Sequence, residues 1–232
     1  MLKLVTLEAQ AYLKMGILSP GRRRILQSSH ERAETGVLFV PGVGANGSQF
    51  LKLKRALEPH AQWFGSFEYF SLRHPHKVAR DLEDYVSHVA PKAQRLVVIG
   101  HSLGGLLLRM VLQGQRVPDN IAGWVSICAP LHGTWRSKLA LSPGLRALAP
   151  NAPMIQQVLN EAHRLERLRG RILTIGARRD QMIQPHTSAL LDEYESLELD
   201  GVAHAGSLFD KRVLAAVQRA AEGWSQAPLP GA

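Results

Sequence analysis

The pentapeptide Gly100-His101-Ser102-Leu103-Gly104 constrains this chain more than any other stretch, because it joins an apolar run, Leu96-Val97-Val98-Ile99, to a segment with helical spacing. A G-x-S-x-G sequence between a strand and a helix is the pattern of a nucleophile elbow. The serine takes the apex of a strained bend, and a glycine two residues to either side removes side chains that would collide there. Leu103, Leu106, Leu107, Met110 and Val111 recur at helical intervals, so the segment after the serine is expected to bury one face against a sheet. Such a turn leaves the Ser102 hydroxyl free and puts the Leu103 N–H at a helix N-terminus, where it can stabilise a developing oxyanion.

A serine hydroxyl is a weak nucleophile at neutral pH, so an elbow calls for a histidine as general base and a carboxylate to orient it, in chain order Ser, Asp or Glu, His. Asp180 follows the apolar strand Ile172-Leu173-Thr174-Ile175-Gly176, and His204 follows the last strand in the loop Gly201-Val202-Ala203-His204-Ala205-Gly206. Both positions fall where ligand sites of open α/β sheets form. Each has a plainer reading: Asp180 could pair with Arg178 or Arg179 at the surface, and His204 could be an ordinary loop histidine. Asp192 and Asp200 are the alternative acids, and His186 is the competing histidine.

The loop Pro41-Gly42-Val43-Gly44-Ala45-Asn46-Gly47 follows the first apolar strand, and its small residues let a backbone N–H approach a substrate closely. Val43 N–H is the expected second oxyanion donor, paired with that of Leu103. A dinucleotide reading of Gly42, Gly44 and Gly47 fails, because Phe70-Ser71-Leu72 stands where an acid would be needed after the second strand.

Short apolar runs alternate with helical segments. Val37 to Val40, Trp63 to Leu72, Leu96 to Ile99, Ile121 to Cys128, Arg171 to Gly176 and Glu195 to Leu199 read as strands. Phe50 to Leu57, Val78 to Val89 and Leu208 to Val217 read as helices. Alternation of this kind predicts an α/β fold with a mostly parallel central sheet and helices on both faces. Residues 1–34 read as an N-terminal arm, 35–222 as one domain, and 223–232 as a flexible tail. A cap insertion is expected at about 131–168, where Ser142-Pro143-Gly144, Pro150 and Pro153 break the pattern before helical spacing returns from Met154 to Leu168. Its apolar residues Leu139, Leu141, Leu145, Leu148, Met154, Ile155, Val158 and Leu159 are candidates to line an acyl pocket; among them Leu145, Met154, Ile155 and Val158 are the expected substrate-binding set.

The chain of 232 residues can bury a full core without disulfides or metals. Its one cysteine, Cys128, lies among apolar neighbours and reads as a buried structural thiol. No run approaches the ~18 apolar residues of a membrane span. Lys3, Glu8, Gln10 and Lys14 interrupt any signal-peptide core, so a cytoplasmic location is expected. A formal charge of +9, densest at Arg22-Arg23-Arg24, draws a protein to anionic surfaces; a merely soluble basic surface is the favoured reading, with peripheral contact with an anionic membrane as the alternative. Nucleic acid is not an expected partner, because the aromatic interleaving and zinc or RNA-binding signatures are absent. No metal or other cofactor is expected.

With the elbow, the chain resembles the α/β-hydrolase superfamily, and within it the bacterial triacylglycerol lipase and esterase group. Phe39-Val40-Pro41-Gly42-Val43-Gly44 is similar to that group's oxyanion loop, with Pro41 where histidine is usual. Ala129-Pro130-Leu131-His132-Gly133-Thr134 is similar to its Thr-Pro-His-x-Gly segment, and Leu148-Ala149-Pro150-Asn151-Ala152-Pro153-Met154 to its entry into the cap. The resemblance runs from about Gly36 to Phe209 and implies the α/β-hydrolase fold. It also implies a serine hydrolase cleaving lipid-like or medium-chain esters, and a structural role for His132 beside the cap. A thioesterase or acyltransferase would use the same residues, and a catalytically silent binding protein of this fold is the reading from another class.

Overall fold

The computed structural model describes residues 32–140 and 142–230. The expected arm, with Arg22-Arg23-Arg24, therefore lies outside the described residues apart from its last few positions, and so does Leu141. Six strands, β1 (Ala33–Val40), β2 (Trp63–Ser66), β3 (Ala93–His101), β4 (Ile121–Ile127), β5 (Ile172–Ala177) and β6 (Glu195–Leu199), form one sheet in the order β2-β1-β3-β4-β5-β6. Every pairing is parallel, with Leu38 opposite Val98 and Ile99 opposite Val125 marking the register at its centre. This is the mostly parallel sheet the apolar runs predict, and a parallel sheet needs both faces covered.

The helices supply that cover. Helix α1 (Leu51–Leu57) and helix α6 (Lys211–Gln226) pack on one face, where Val37, Phe39, Val97 and Ile99 meet Leu53, Leu57, Val213, Val217 and Trp224. Helix α2 (Pro75–Val89) and helix α3 (Leu103–Leu112) pack on the other, where Leu38, Val40, Leu96 and Val98 meet Val78, Leu82, Val86 and Leu106. The alternation of inward residues along β1 and β3 follows from the two-residue period of a strand. Burying each such aliphatic side chain stabilises the fold by roughly 1.5–3 kcal/mol.

Several boundaries differ from the periodicity. Strand β2 stops at Ser66, and the remainder of its expected span is a loop that returns toward the first strand. Strand β1 begins at Ala33, within the expected arm, and α6 continues to Gln226, within the expected tail. Helix α3 buries every residue except Met110, not one face alone, because the cap covers the side turned from the sheet. The cap itself consists of the short helix α4 (Pro143–Arg146), helix α5 (Pro153–Asn160) and a 3-10 stretch, Ala162–Leu168, so the expected Met154 to Leu168 helix divides in two. On the opposite face Trp224 of α6 lies flat on Gly123 of β4, where a Cβ would come within 2.1 Å of its ring.

Candidate active site

Ser102 sits between β3 and α3 with φ 54° and ψ −127°, a conformation costly for any residue with a Cβ. Its neighbours make the bend possible. A Cβ at Gly104 would lie 2.0 Å from the Val40 carbonyl oxygen, and one at Gly100 would lie 2.5 Å from the Gly105 Cα. The elbow is thus pressed against β1 from one side and against its own helix from the other. Ser102 N–H donates to the Ile127 carbonyl at 2.9 Å, which fixes the bend to β4.

Asp180 and His204 meet beneath the same cavity. His204 Nδ1 is 2.8 Å from Asp180 Oδ2, while Asp180 Oδ1 accepts the N–H groups of Met182 at 2.7 Å and Ile183 at 2.9 Å. Burial alone would push the Asp180 carboxyl up, but the His204 ring and these three hydrogen bonds outweigh it and hold the group below its ordinary value. An ionised carboxylate only accepts, so His204 Nδ1 carries the proton of that bond, the tautomer that leaves the lone pair of a neutral ring on Nε2. The surface-pair reading of Asp180 fails: Arg178 bonds Glu198 at 2.6 Å and lies 3.7 Å from Asp200, and Asp180 is 1 % exposed. The rivals are engaged elsewhere or outside the site, with His186 on Glu198 at 2.8 Å and Asp192 exposed beyond the cavity.

Ser102 and His204 line one cavity of about 190 Å³, with no direct hydrogen bond between them among the described residues. Such bonds often tighten only when substrate is bound. Val43 and Leu103, the expected oxyanion donors, line the cavity too, and a Cβ on Gly42 would lie 2.9 Å from that of Ser102. The loop therefore reaches the nucleophile closely.

Its support comes from residues the sequence analysis did not single out. Tyr69 Oη donates to the Pro41 carbonyl at 2.7 Å, Ser71 Oγ accepts from Gly44 N–H at 2.9 Å, and Glu68 Oε1 accepts from Gly47 N–H at 2.8 Å. The departure at Pro41 was the available signal, since a loop lacking its usual histidine needs another anchor. Arg109, another residue not singled out from the sequence, is fully buried in α3 and donates from Nη1 to the Leu131 carbonyl at 2.8 Å, pinning the segment that enters the cap. Burial pushes its guanidinium down to about 10. His132 in that segment bonds Ser188 through N–H at 3.1 Å and Nδ1 at 3.4 Å, a structural arrangement.

His101 adds a connection within the site. Its Nε2 lies 3.3 Å from the His204 carbonyl oxygen, which also accepts from Ser207 Oγ at 2.7 Å. Burial, reinforced by the neighbouring His204, pushes the His101 ring down to about 3, so it is neutral and donates through Nε2. His101 thus ties the loop carrying the candidate base to the end of β3, and Ser207 closes a local turn within that loop.

The cap meets the substrate-binding expectation in part. Leu145 and Leu148 line the cavity, whereas Met154, Ile155 and Val158 do not. Those three face the core against the sheet side of the cap, and the Gln113 amide bonds the Val158 carbonyl at 3.0 Å, tying α5 to the end of α3. Leu159 is partly buried against the same core, and Leu139 is 75 % exposed outside the cavity. Thr134, Arg136, Ser137, Ala140 and Met182 complete the outer wall.

Buried Cys128, at φ 48°, lies beneath the acid and base. Its Sγ, an Asp180 oxygen and a His204 nitrogen lie within 4.8 Å of one another, the one potential metal-ligating group among the described residues. The short Asp180 to His204 hydrogen bond already occupies the facing atoms of two of these three groups.

A sequence model described as the alpha/beta hydrolase family matches residues 37–230. No curated protein matches the sequence. Among solved structures, a Paleococcus ferrophilus monoacylglycerol lipase is similar at 16 % identity and TM-score 0.53, covering 82 % of this chain and 93 % of its own. The Bacillus licheniformis lipase BlEst2 is similar at 12 % identity and TM-score 0.60, covering 78 % and 89 %. The Pyrococcus furiosus esterase Pf2001 is similar at 16 % identity and TM-score 0.59, covering 83 % and 84 %. At these identities the likeness is one of fold.

Proposed function

This chain belongs to the alpha/beta hydrolase family, and we propose that it is a carboxylic ester hydrolase in which Ser102 is the nucleophile, His204 the general base and acid, and Asp180 the group that orients His204. The observation that carries this reading is the strained Ser102 elbow opening into the same cavity as a histidine whose Nδ1 is hydrogen-bonded to a buried carboxylate. Ser102 Oγ attacks the ester carbonyl carbon as its proton passes to His204 Nε2. The Val43 and Leu103 N–H groups receive the oxyanion. Collapse breaks the bond to the alcohol oxygen, which leaves with the proton from His204, and the acyl group stays on Ser102. Water then gives a proton to His204 and its hydroxide to the acyl carbon; the acid departs and Ser102 recovers its proton.

The cavity of about 190 Å³ suits a short to medium acyl group. Lipid-like esters of that length fit the apolar wall formed by Val43, Leu145 and Leu148. Peripheral contact with an anionic lipid surface belongs to the same reading. Val43, Phe70, Leu72, Trp135, Leu139 and Met182, the large apolar residues exposed among the described ones, all sit on segments around the mouth. Hydrogen bonds link those segments: Gly44 to Ser71, Ser142 to Leu72, and Thr134 to Met182. Arg136, Lys138 and Arg146 stand among them without an ion pair in the described residues, and no Asp or Glu occurs from Asn120 to Asn160. No described helix is long and apolar enough to cross a membrane.

The test is hydrolysis of p-nitrophenyl esters from acetate to decanoate by the wild type and by Ser102→Ala. Ser102-dependent turnover with a chain-length optimum supports the reading. Turnover equal in both proteins on every ester, with both folded, overturns it and moves thioester or acyl-transfer chemistry ahead.

A further inference from the structure

Most polar side chains in the cavity wall already have partners. Thr134 Oγ1 donates to the Met182 carbonyl at 2.9 Å, and Ser137 Oγ donates to the Thr134 carbonyl at 2.7 Å. Arg136 Nε donates to the Gln181 carbonyl at 3.1 Å. Gln49 is different. It is 1 % exposed, it lines the cavity, and neither Nε2 nor Oε1 of its amide has a hydrogen-bond partner among the described residues. Leaving such a buried group unpaired is costly, and core positions are ordinarily filled so as to avoid it.

The backbone around Gln49 is held firmly, so the unpaired amide does not come from a loosely placed loop. Gln49 belongs to the 3-10 turn Gly47–Phe50, which starts at the Asn46 side-chain cap and is braced by Glu68 on Gly47 N–H. Phe50, next in sequence, stacks on Phe39 of β1 with ring centroids 4.7 Å apart. A second unpartnered buried atom lies in the same wall: His101 Nδ1, an acceptor because Nε2 carries the ring proton. It would be 3.3 Å from a Cβ on Gly42, at the foot of the loop that also reaches Ser102.

We propose that Gln49 is a specificity-determining residue of this cavity, recognising a hydroxyl group that the ester carries. A hydroxyl both donates and accepts, which matches an amide with both functions unengaged. Its desolvation is compensated only where those partners are present, so a plain ester of the same size gains nothing from Gln49. The inference rests on Ser102 being the nucleophile of an ester hydrolase. The hydroxyl could belong to the acyl group or to the alcohol, and the substrates below separate the two.

The experiment compares wild type with Gln49→Leu on two matched pairs: ethyl butyrate against ethyl 3-hydroxybutyrate, and propyl butyrate against glycerol 1-monobutyrate. The expected result is a fall of about 10- to 100-fold in the ratio of kcat/KM for the hydroxylated member to that for the plain member of one pair. The pair affected identifies the side that carries the hydroxyl. Thermal stability is expected to hold or rise, since the substitution removes an unpaired amide from the interior. An equal fall for plain and hydroxylated esters with a lower Tm marks Gln49 as structural, bonded to internal water, and overturns the proposal. Unchanged kinetics on both pairs overturns it too. Gln49→Met, closer in shape, serves the same comparison if the leucine variant does not fold. The same esters titrated onto Ser102→Ala and onto the double variant by ligand-observed NMR read the preference without turnover. Loss of Ser102-dependent hydrolysis would sink the catalytic reading by itself, whereas hydroxylated esters binding no better than plain ones would sink this proposal by itself.

Discussion

The ring of His101 lies 4.8 Å from that of His204, centroid to centroid, and donates from Nε2 to the backbone carbonyl of the same residue. The residue beside the proposed nucleophile therefore holds the loop of the proposed base. Its protonation would remove the lone pair at Nδ1 and place a cation in a fully enclosed site.

Acid stability follows from that burial. The folded His101 ring titrates near about 3, against an ordinary value of 6.5, so between those two values the unfolded chain binds a proton that the native protein refuses. Its contribution to stability is complete above about pH 6.5 and is lost progressively as pH falls toward about 3, with a limiting slope of about 1.4 kcal/mol per pH unit. His101→Gln keeps a donor for the His204 carbonyl without titrating. Urea unfolding measured from pH 7 to 4 should show a shallower loss for the variant; identical slopes would remove His101 as the cause.

Asp180→Asn should leave the fold intact and lower kcat by about 10³- to 10⁴-fold. The amide can donate to His204 Nδ1, which stabilises the wrong tautomer and takes the lone pair from Nε2. Because the carboxyl is held below its ordinary value, the wild type keeps Asp180 ionised to lower pH than a free aspartate would be. Circular dichroism of the variant alongside its kinetics separates loss of orientation from loss of structure.

The oxyanion loop should fail by degrees. Tyr69→Phe removes the donor to Pro41, and Ser71→Ala removes the acceptor for Gly44 N–H, each without touching substrate. Each is expected to lower kcat about 10-fold with little change in KM. The double variant should approach the roughly 10²- to 10³-fold cost of losing one oxyanion donor. Burial holds the Tyr69 phenol well above its ordinary value, so this dependence should persist to alkaline pH.

Binding to vesicles tests the rim. Wild type should sediment with phosphatidylglycerol-rich vesicles more than with phosphatidylcholine alone, less so in high salt. Leu139→Asp, at a site exposed outside the cavity, should weaken that sedimentation while leaving hydrolysis of a soluble short ester unchanged. Equal sedimentation of the variant would show that the rim is not the contact.

The candidates Ser102, Asp180 and His204 are readable in the sequence because each stands at or shortly after the end of a strand, β3, β5 and β6 in turn, and parallel order places all three strand ends on one edge. Tyr69 and Ser71 are not, since their partners lie 28 and 27 positions away and are decided by how the loop after β2 folds back. Met154, Ile155 and Val158 show the limit of periodicity: helical spacing marks a buried face without saying whether core or substrate covers it. Gln49 escapes for the converse reason, because a lone amide between Ser48 and Phe50 carries no pattern until its surroundings are known.

The seat of Trp224 on Gly123 joins residues about a hundred positions apart. During synthesis β4 therefore leaves the ribosome well before the helix that covers it, by roughly 5–20 s at ~5–20 residues per second. Through that interval the face of β4 at Gly123 waits for the aromatic ring that will cover it.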